Sequence, residues 1–213
     1  MQHVLRQLRN IPITSSVIAS LYPTINQSAR KVVDLEEKGE IIRLKRGLYV
    51  VNPEISDKTL STELIANHLC TPSFISMQTA LRYYGLIPEM VCVVQSMTTR
   101  QKRSFTNSYG RFDYIHTNRE SFHVGVTQET DEGVYFLIAT PERALCDLIA
   151  YTKGLNLRYR IEVQKYLEED IRFDMDFFAT ARLSIFEEYA SLGRKSNSII
   201  TLINWMKNER NIG

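Results

Sequence analysis

The sequence predicts an α+β fold, in which a small basic segment ending in a β-hairpin precedes a larger mixed α/β region with a helical C-terminal tail. Three observations predict it. Hydrophobic spacing over the first 52 residues changes from the helical period to the strand period. A polar segment with a proline follows at residues 52–57. Beyond it, strand-like and helical runs are mixed, and 213 residues suffice for a small and a medium-sized domain.

The first segment is predicted to contain three helices and a hairpin. Thr14 can cap the second helix, and Gly39 ends the third because glycine readily adopts the left-handed conformation. The short run Lys45-Arg46-Gly47 separates two β-rich stretches, which is typical of a hairpin. The predicted elements are helices over residues 3–9, 15–21 and 27–38 and strands over residues 40–44 and 48–51.

Positive charge is concentrated in this segment. Residues 1–52 hold eight Lys or Arg and four Asp or Glu, whereas the rest of the chain holds 18 and 20. The net charge of +2 is therefore the sum of a basic N-terminal quarter and a slightly acidic remainder. Such an asymmetry favours a polyanionic partner for the N-terminal end.

The order of helix, helix, turn, helix and basic hairpin is that of a winged helix-turn-helix domain, which we predict for residues 1–52. Its third helix would enter the major groove of double-stranded DNA, and the hairpin would contact phosphates or the adjacent minor groove. Taken singly, each basic residue is better explained as solvated surface, and the fold also serves as a protein-interaction module. The predicted DNA contacts are Gln27, Ser28, Arg30 and Lys31 in the helix and Arg43, Lys45 and Arg46 in the hairpin.

A second domain is predicted over residues 58–213. Ser61 can cap its first helix, Gly85 can end the second, and Thr140-Pro141 can start a third, since proline fits the first position of a helix. The predicted elements are helices over residues 62–69 and 76–84, strands over residues 90–97, 112–116, 124–127 and 134–139, a helix from residue 141, and tail helices over residues 161–169, 174–192 and 196–207. The strand at residues 90–97 is expected to be buried on both faces, because it is almost continuously apolar.

A basic loop follows that strand. Arg100, Lys102 and Arg103 could form a second contact with nucleic acid or another anion. A solvated loop explains these residues equally well. Phe105 and Tyr109 nearby could stack on a base, although aromatic side chains more often pack in a core.

No motif for catalysis or metal binding stands out, and we expect no enzyme, cofactor or metal site. Asp174 and Asp176 have the D-x-D spacing of Mg²⁺-dependent nucleotidyltransferases, but helix capping by Asp174 explains them better. His116 and His123 have no nearby carboxylate cluster, so zinc is not expected. A nucleotide-processing enzyme and a protein that sequesters its partner directly remain alternatives.

The three cysteines and the apolar runs predict a cytosolic protein. Cys70, Cys92 and Cys146 are far apart and lie in apolar stretches, which predicts buried, reduced thiols rather than a disulfide framework. No apolar run reaches the roughly 18 residues of a membrane span, and the N-terminus does not resemble a secretory signal.

Several segments resemble a known family. The run Phe74-Ile75-Ser76-Met77-Gln78-Thr79-Ala80-Leu81, with Tyr84-Gly85-Leu86-Ile87-Pro88 after it, resembles the family's "YISLESAL…hGLIP" segment. The start of the helix at Thr140-Pro141-Glu142-Arg143-Ala144-Leu145-Cys146-Asp147-Leu148 is similar to its "iAtPEKALlDL" segment and is the most specific part. Three further segments are similar to segments of the same family: Leu48-Tyr49 after Lys45-Arg46-Gly47, Arg111 to His116, and Phe122 to Val126. On these segments the chain resembles the AbiEi-type antitoxins and transcriptional regulators of type IV, abortive-infection toxin–antitoxin operons, over roughly residues 1–150.

The resemblance implies two roles. The N-terminal domain would repress its own operon by binding repeats in the promoter. The second domain would oppose a nucleotidyltransferase-like toxin encoded next to it, usually without a stable complex. Arg143 and Cys146 stand where the family more often has Lys and Leu. The family match would allow a functional site at Glu142, Arg143 and Asp147. A structural explanation is preferred, in which Glu142 favours the positive helix end and Asp147 pairs with Arg143.

Overall fold

Three helices and a three-stranded antiparallel sheet make up the N-terminal part of the computed structural model, which describes residues 2–22, 28–90, 92–131 and 133–212. The strands lie in the order β1-β3-β2. As predicted, the Thr14 hydroxyl accepts from the amide of Val17 at 3.4 Å and caps the second helix, and Gly39 has a φ of +68° after the third. The elements are α1 (Gln2–Arg6), β1 (Ile13–Thr14), α2 (Ser15–Ser20), α3 (Ser28–Glu37), β2 (Ile41–Lys45) and β3 (Leu48–Val51).

Strand β3 is buried on both faces, because it lies between two sets of apolar side chains. On one face, Tyr49 and Val51 pack in a cluster with Leu5, Ile18 and Leu35 of the three helices. On the other, Leu48 and Val50 belong to the large core of the rest of the chain, as does Leu44 of β2. The hairpin therefore contributes apolar side chains to both cores.

A six-stranded mixed sheet forms the centre of the rest of the chain, with the strand order β6-β7-β5-β4-β9-β8. The pairs β4–β9 and β5–β7 are parallel, and the other neighbours are antiparallel. Helix α5 packs against β4 and β9, while α6 packs against α7 and β5. The elements are α4 (Pro53–Ser56), α5 (Thr62–Leu69), β4 (Ser73–Ile75), α6 (Met77–Tyr83), β5 (Val93–Thr98), β6 (Arg103–Asn107), β7 (Gly110–His116), β8 (Val126–Asp131) and β9 (Val134–Ala139).

The C-terminal part is helical, as predicted. Helix α9 packs on α7, and α10 packs on both α8 and α9. A π-helical turn, Tyr166–Asp170, continues α8, and a 3-10 helix, Met175–Ala179, precedes α9. The helices are α7 (Pro141–Tyr151), α8 (Arg160–Lys165), α9 (Leu183–Leu192) and α10 (Ser196–Ile212).

The mixed α/β class is confirmed, with 44% of residues in helices and 22% in strands. The single helix predicted over residues 174–192 is wrong, because the chain leaves helical geometry after the 3-10 helix and the amide of Arg182 donates to the Glu142 carboxylate at 3.0 Å. The strand predicted from residue 90 begins at Val93, where its first three residues are only half-buried. Cys92 is exposed, which corrects the prediction of a buried thiol, whereas Cys70 and Cys146 are buried.

Candidate nucleic-acid interface

Helix α3 presents an accessible outer side. Val32 and Leu35 point into the N-terminal cluster, whereas Arg30 is exposed and Val33 has 47% of its surface exposed. This alternation follows from the 3.6-residue period of the helix. Of the predicted contacts, Gln27 lies outside the described residues, and Ser28 is the first residue of α3. Helix α3 is therefore not covered by the rest of the chain at Arg30 and Val33.

Lys31 and Arg43 engage neighbouring groups of the same segment. The Lys31 ammonium lies 5.2 Å from the centroid of the Tyr22 ring, and the side chain is half-buried. The Arg43 guanidinium lies 2.6 Å from the Glu36 carboxylate and 5.8 Å from the centre of the Tyr49 ring. The hydrogen bond to Glu36 raises the pKa of Arg43. Part of the positive charge on this side is therefore neutralised within the chain.

Arg46 occupies the turn between β2 and β3. Gly47 follows with a φ of +78°, and its carbonyl accepts from the amide of Ser15 at 3.1 Å, which ties the turn to the start of α2. The Arg46 side chain is exposed, and no acidic side chain among the described residues forms an ion pair with it. It is the basic group of the hairpin best placed to meet an anion.

Lys45 lies in a different environment, which corrects its grouping with Arg46 at an exposed tip. Its ammonium donates to the carbonyl of Leu69, at the end of α5, at 2.7 Å and lies 5.5 Å from the centre of the Phe105 ring. The register of β2 shifts between Arg43 and Lys45, and Arg46 lies in the turn, so Lys45 faces the rest of the chain while Arg46 is exposed. Burial lowers the pKa of Lys45, and the nearby charges of Arg103 and Arg100 lower it further.

The basic loop after β5 lies next to the hairpin. Arg103, Phe105 and Asn107 alternate along β6 and so share one face of the strand. On that face the Asn107 amide donates to the Leu44 carbonyl at 3.2 Å, and Phe105 lies under the Lys45 ammonium. The two basic sets that the sequence predicted separately are therefore adjacent in the fold.

The loop itself is held in place. The Arg100 guanidinium donates to the Thr71 carbonyl at 2.5 Å, and the His116 imidazole donates to the carbonyl of Arg100 at 3.0 Å. Lys102 and Arg103 are exposed. Phe105 belongs to the border of the core and packs edge-on against Tyr114 at 5.8 Å, so it does not present a free ring for stacking. The backbone of the loop is thus held in place while the Lys102 and Arg103 side chains are exposed.

The D-x-D motif is a helix cap, as predicted. The Asp174 carboxylate accepts from the amide of Asp176 at 3.1 Å at the start of the 3-10 helix. Within the described parts of the chain, no three His, Cys, Asp or Glu side chains come together in a metal-binding arrangement. His123 lies 3.6 Å from Glu188, whereas His116 contacts the carbonyl of Arg100.

Sequence reasoning missed the degree of burial of one charged group. The predicted pair of Arg143 and Asp147 exists, with 2.9 Å between the guanidinium and the carboxylate, but both side chains are fully buried. Ser76 and Tyr189 also donate to Asp147, at 2.7 and 3.1 Å. The signal in the sequence was the position of both charges among apolar residues of one helix. Because both charges are closed to solvent, the network is not part of an accessible site.

No protein-family model matches this chain, and no curated protein matches it at a significant level. The AbiEi resemblance therefore depends on the quoted segments alone. Within the described residues, every helix is too short or too polar to span a lipid bilayer.

Proposed function

We propose that this protein is a DNA-binding transcriptional repressor whose N-terminal part is a winged helix-turn-helix domain. The observation that carries the proposal is the exposed Arg46 turn, with the outer side of α3 open and the basic loop next to the hairpin. The element order α1-β1-α2-α3-β2-β3 and the strand order β1-β3-β2 support the winged-helix assignment.

The charges divide into two kinds of contact. Arg30, near the N-terminal end of α3, has a position from which recognition helices read base edges. Arg46, Lys102 and Arg103 would contact phosphates, which set register without reading sequence. Lys45 would act indirectly, because its ammonium already bonds to Leu69 and fixes the hairpin beside the loop. The proposed DNA-binding surface therefore includes both the hairpin and the basic loop.

The resemblance to AbiEi-type proteins extends the proposal. The DNA would be the promoter of the protein's own operon, and the second domain would act as the antitoxin of a type IV system against a nucleotidyltransferase-like toxin. This part is tested by expressing the adjacent gene with and without this chain. If the adjacent gene arrests growth and co-expression of this chain does not relieve the arrest, the antitoxin role is contradicted. This result would not contradict DNA binding.

Salt dependence of DNA binding tests the repressor role. The affinity for the DNA upstream of the gene should fall steeply with salt, because each phosphate contact releases condensed counterions. Arg46→Ala should lower the slope of log K against log salt by about one, and the double variant Lys102→Ala, Arg103→Ala by about two. Fluorescence anisotropy over a salt series measures these slopes.

Control variants distinguish the effect of losing a specific phosphate contact from the effect of lowering the net charge of the protein. Lys153→Ala with Lys165→Ala removes two exposed charges of the C-terminal part and should leave the slope unchanged. Lys45→Met should change the slope of log K against log salt by much less than Arg46→Ala does. Binding that is absent, independent of salt, or weakened equally by the control pair contradicts the proposal.

A further inference from the structure

An apolar cleft of about 430 Å³ lies in the C-terminal helical part and shares no lining residue with the basic surface. Its floor includes Met175 and Phe178 of the 3-10 helix and Trp205 of α10. The rings of Phe178 and Trp205 pack edge-on at 5.0 Å, and each is less than 10% exposed. The floor is thus preformed, and the volume of the cleft is within the roughly 300–1,000 Å³ of ligand-binding pockets.

Two carboxylates line the same cleft. Glu168 lies in the π-helical turn, and Glu209 lies in the last two turns of α10. The Gln164 amide donates to both oxygens of Glu168, at 3.2 and 3.3 Å. Among the side chains that the structure describes, no Lys, Arg or His forms an ion pair with either carboxylate.

The backbone adds to this negative charge. Both carboxylates lie close to the C-terminal end of a helical segment, where unpaired carbonyls carry negative partial charge. An acidic side chain is unfavourable there, and a cation is favourable. π-Helical turns are uncommon and are found frequently at functional sites. The cleft therefore combines an apolar floor with two carboxylates that are not paired with any Lys, Arg or His among the described side chains.

We propose that this cleft binds a basic amphipathic segment of a partner protein, with an apolar side chain against Phe178 and Trp205 and a Lys or Arg at Glu168 and Glu209. The apolar floor requires an apolar anchor, and the carboxylates require an ammonium or guanidinium group. Nucleic acid and anionic membranes are repelled by the same charges. The inference is independent of the proposed DNA-binding function, because no residue is shared between the two surfaces.

Trp205 is the only tryptophan of the chain, so its fluorescence reports on the cleft directly. The probe is a dodecapeptide of lysine and leucine at amphipathic helical spacing, without aromatic residues. Titration of the full-length protein should shift Trp205 emission in a saturable way. A matched peptide with glutamate in place of lysine, and one with serine in place of leucine, should each bind at least tenfold more weakly.

Variants locate the binding. Glu168→Gln with Glu209→Gln should weaken the binding of the lysine–leucine peptide about tenfold, because two partly exposed ion pairs are lost. Glu120→Gln with Asp131→Asn removes the same charge from exposed positions elsewhere and should change binding less than twofold. Far-UV circular dichroism should be equal for all variants, since no buried group is changed.

Four outcomes overturn the inference. They are the absence of a saturable shift, equal weakening by the two double variants, equal binding of the serine peptide, and n-hexylammonium binding as tightly as the peptide. The last result would identify a small organic cation, rather than a protein segment, as the ligand. None of these outcomes affects the salt-dependence test of DNA binding, so the two proposals fail separately.

Discussion

At the scale of single residues, the buried Arg143 contacts groups from several elements. Its guanidinium lies between the rings of Phe74 and Tyr189, with centres at 4.9 and 5.0 Å, and donates to the carbonyls of Ser121 and Val124. Burial raises the pKa of Tyr189, so its hydroxyl remains a donor to Asp147. One ion pair thus joins β4, the segment before β8, α7 and α9.

Removal of the Asp147 charge should destabilise the protein strongly. Asp147→Asn leaves the Arg143 cation buried without a counter-charge, and we expect the free energy of unfolding to fall by about 3 kcal/mol or more. Urea denaturation followed by circular dichroism measures this. Asp113→Asn breaks an exposed pair with Arg111 and should cost less than about 1 kcal/mol. Similar losses in the two variants would contradict the role assigned to burial.

At the scale of elements, the turn before β8 determines how that strand meets α7. Gly125 has a φ of +58°, and its carbonyl accepts from the amide of Thr140 at 2.8 Å. A Cβ atom there would lie 2.7 Å from Cβ of Arg143 and 3.1 Å from the hydroxyl of Thr140. Only glycine therefore allows the turn to approach the start of α7 this closely.

Two glycine substitutions separate conformational strain from close approach. Gly133→Ala, in the turn between β8 and β9 at a φ of +79° with open space around it, should cost about 1 kcal/mol. Gly125→Ala should cost about 1–3 kcal/mol more, because the methyl group also displaces Arg143 or Thr140. Thermal or urea unfolding compares the two, and an equal loss would show that the close contact relaxes without cost.

At the scale of the whole molecule, the N-terminal hairpin belongs to two cores. Leu44, Leu48 and Val50 pack into the large cluster, and polar contacts add to it, such as the Asn10 amide that donates to the Thr59 carbonyl at 2.8 Å. The position of the Arg46 turn relative to the basic loop is therefore fixed by this packing. If the proposed DNA binding uses both, the orientation of the turn and the loop is set before DNA is bound.

An isolated fragment of residues 1–57 should be much less stable than the same segment in the full chain. It would expose the apolar face of the hairpin formed by Leu44, Leu48 and Val50 to water, at a cost of about 25 cal/mol per Å² of apolar surface. Amide hydrogen exchange of the fragment and of the full-length protein compares their protection. Equal protection of β2 and β3 in both would show that the segment is an autonomous domain.

The ends of several elements could be predicted from the sequence because they depend on local conformation. The Ser61 hydroxyl caps α5 at 3.1 Å, and Thr140 with Pro141 starts α7. Gly39 and Gly85 follow helices with positive φ. Strands β1, β4 and β6 were missed. Strands β1 and β4 have only two and three residues, and β6 is a polar strand at the edge of the sheet, without the alternation of apolar and polar residues that identifies a half-buried strand.

The sequence by itself determined the class of fold, the caps and stops, and which residues carry the basic charge, since each of these depends on neighbours within a few positions. Only the tertiary structure decided that Lys45 turns inward to Leu69, that Arg100 and Arg103 lie near it, and that Arg143 is buried. These facts depend on contacts between groups 24 or more positions apart or on the layers packed around one helix, and no local pattern encodes such contacts.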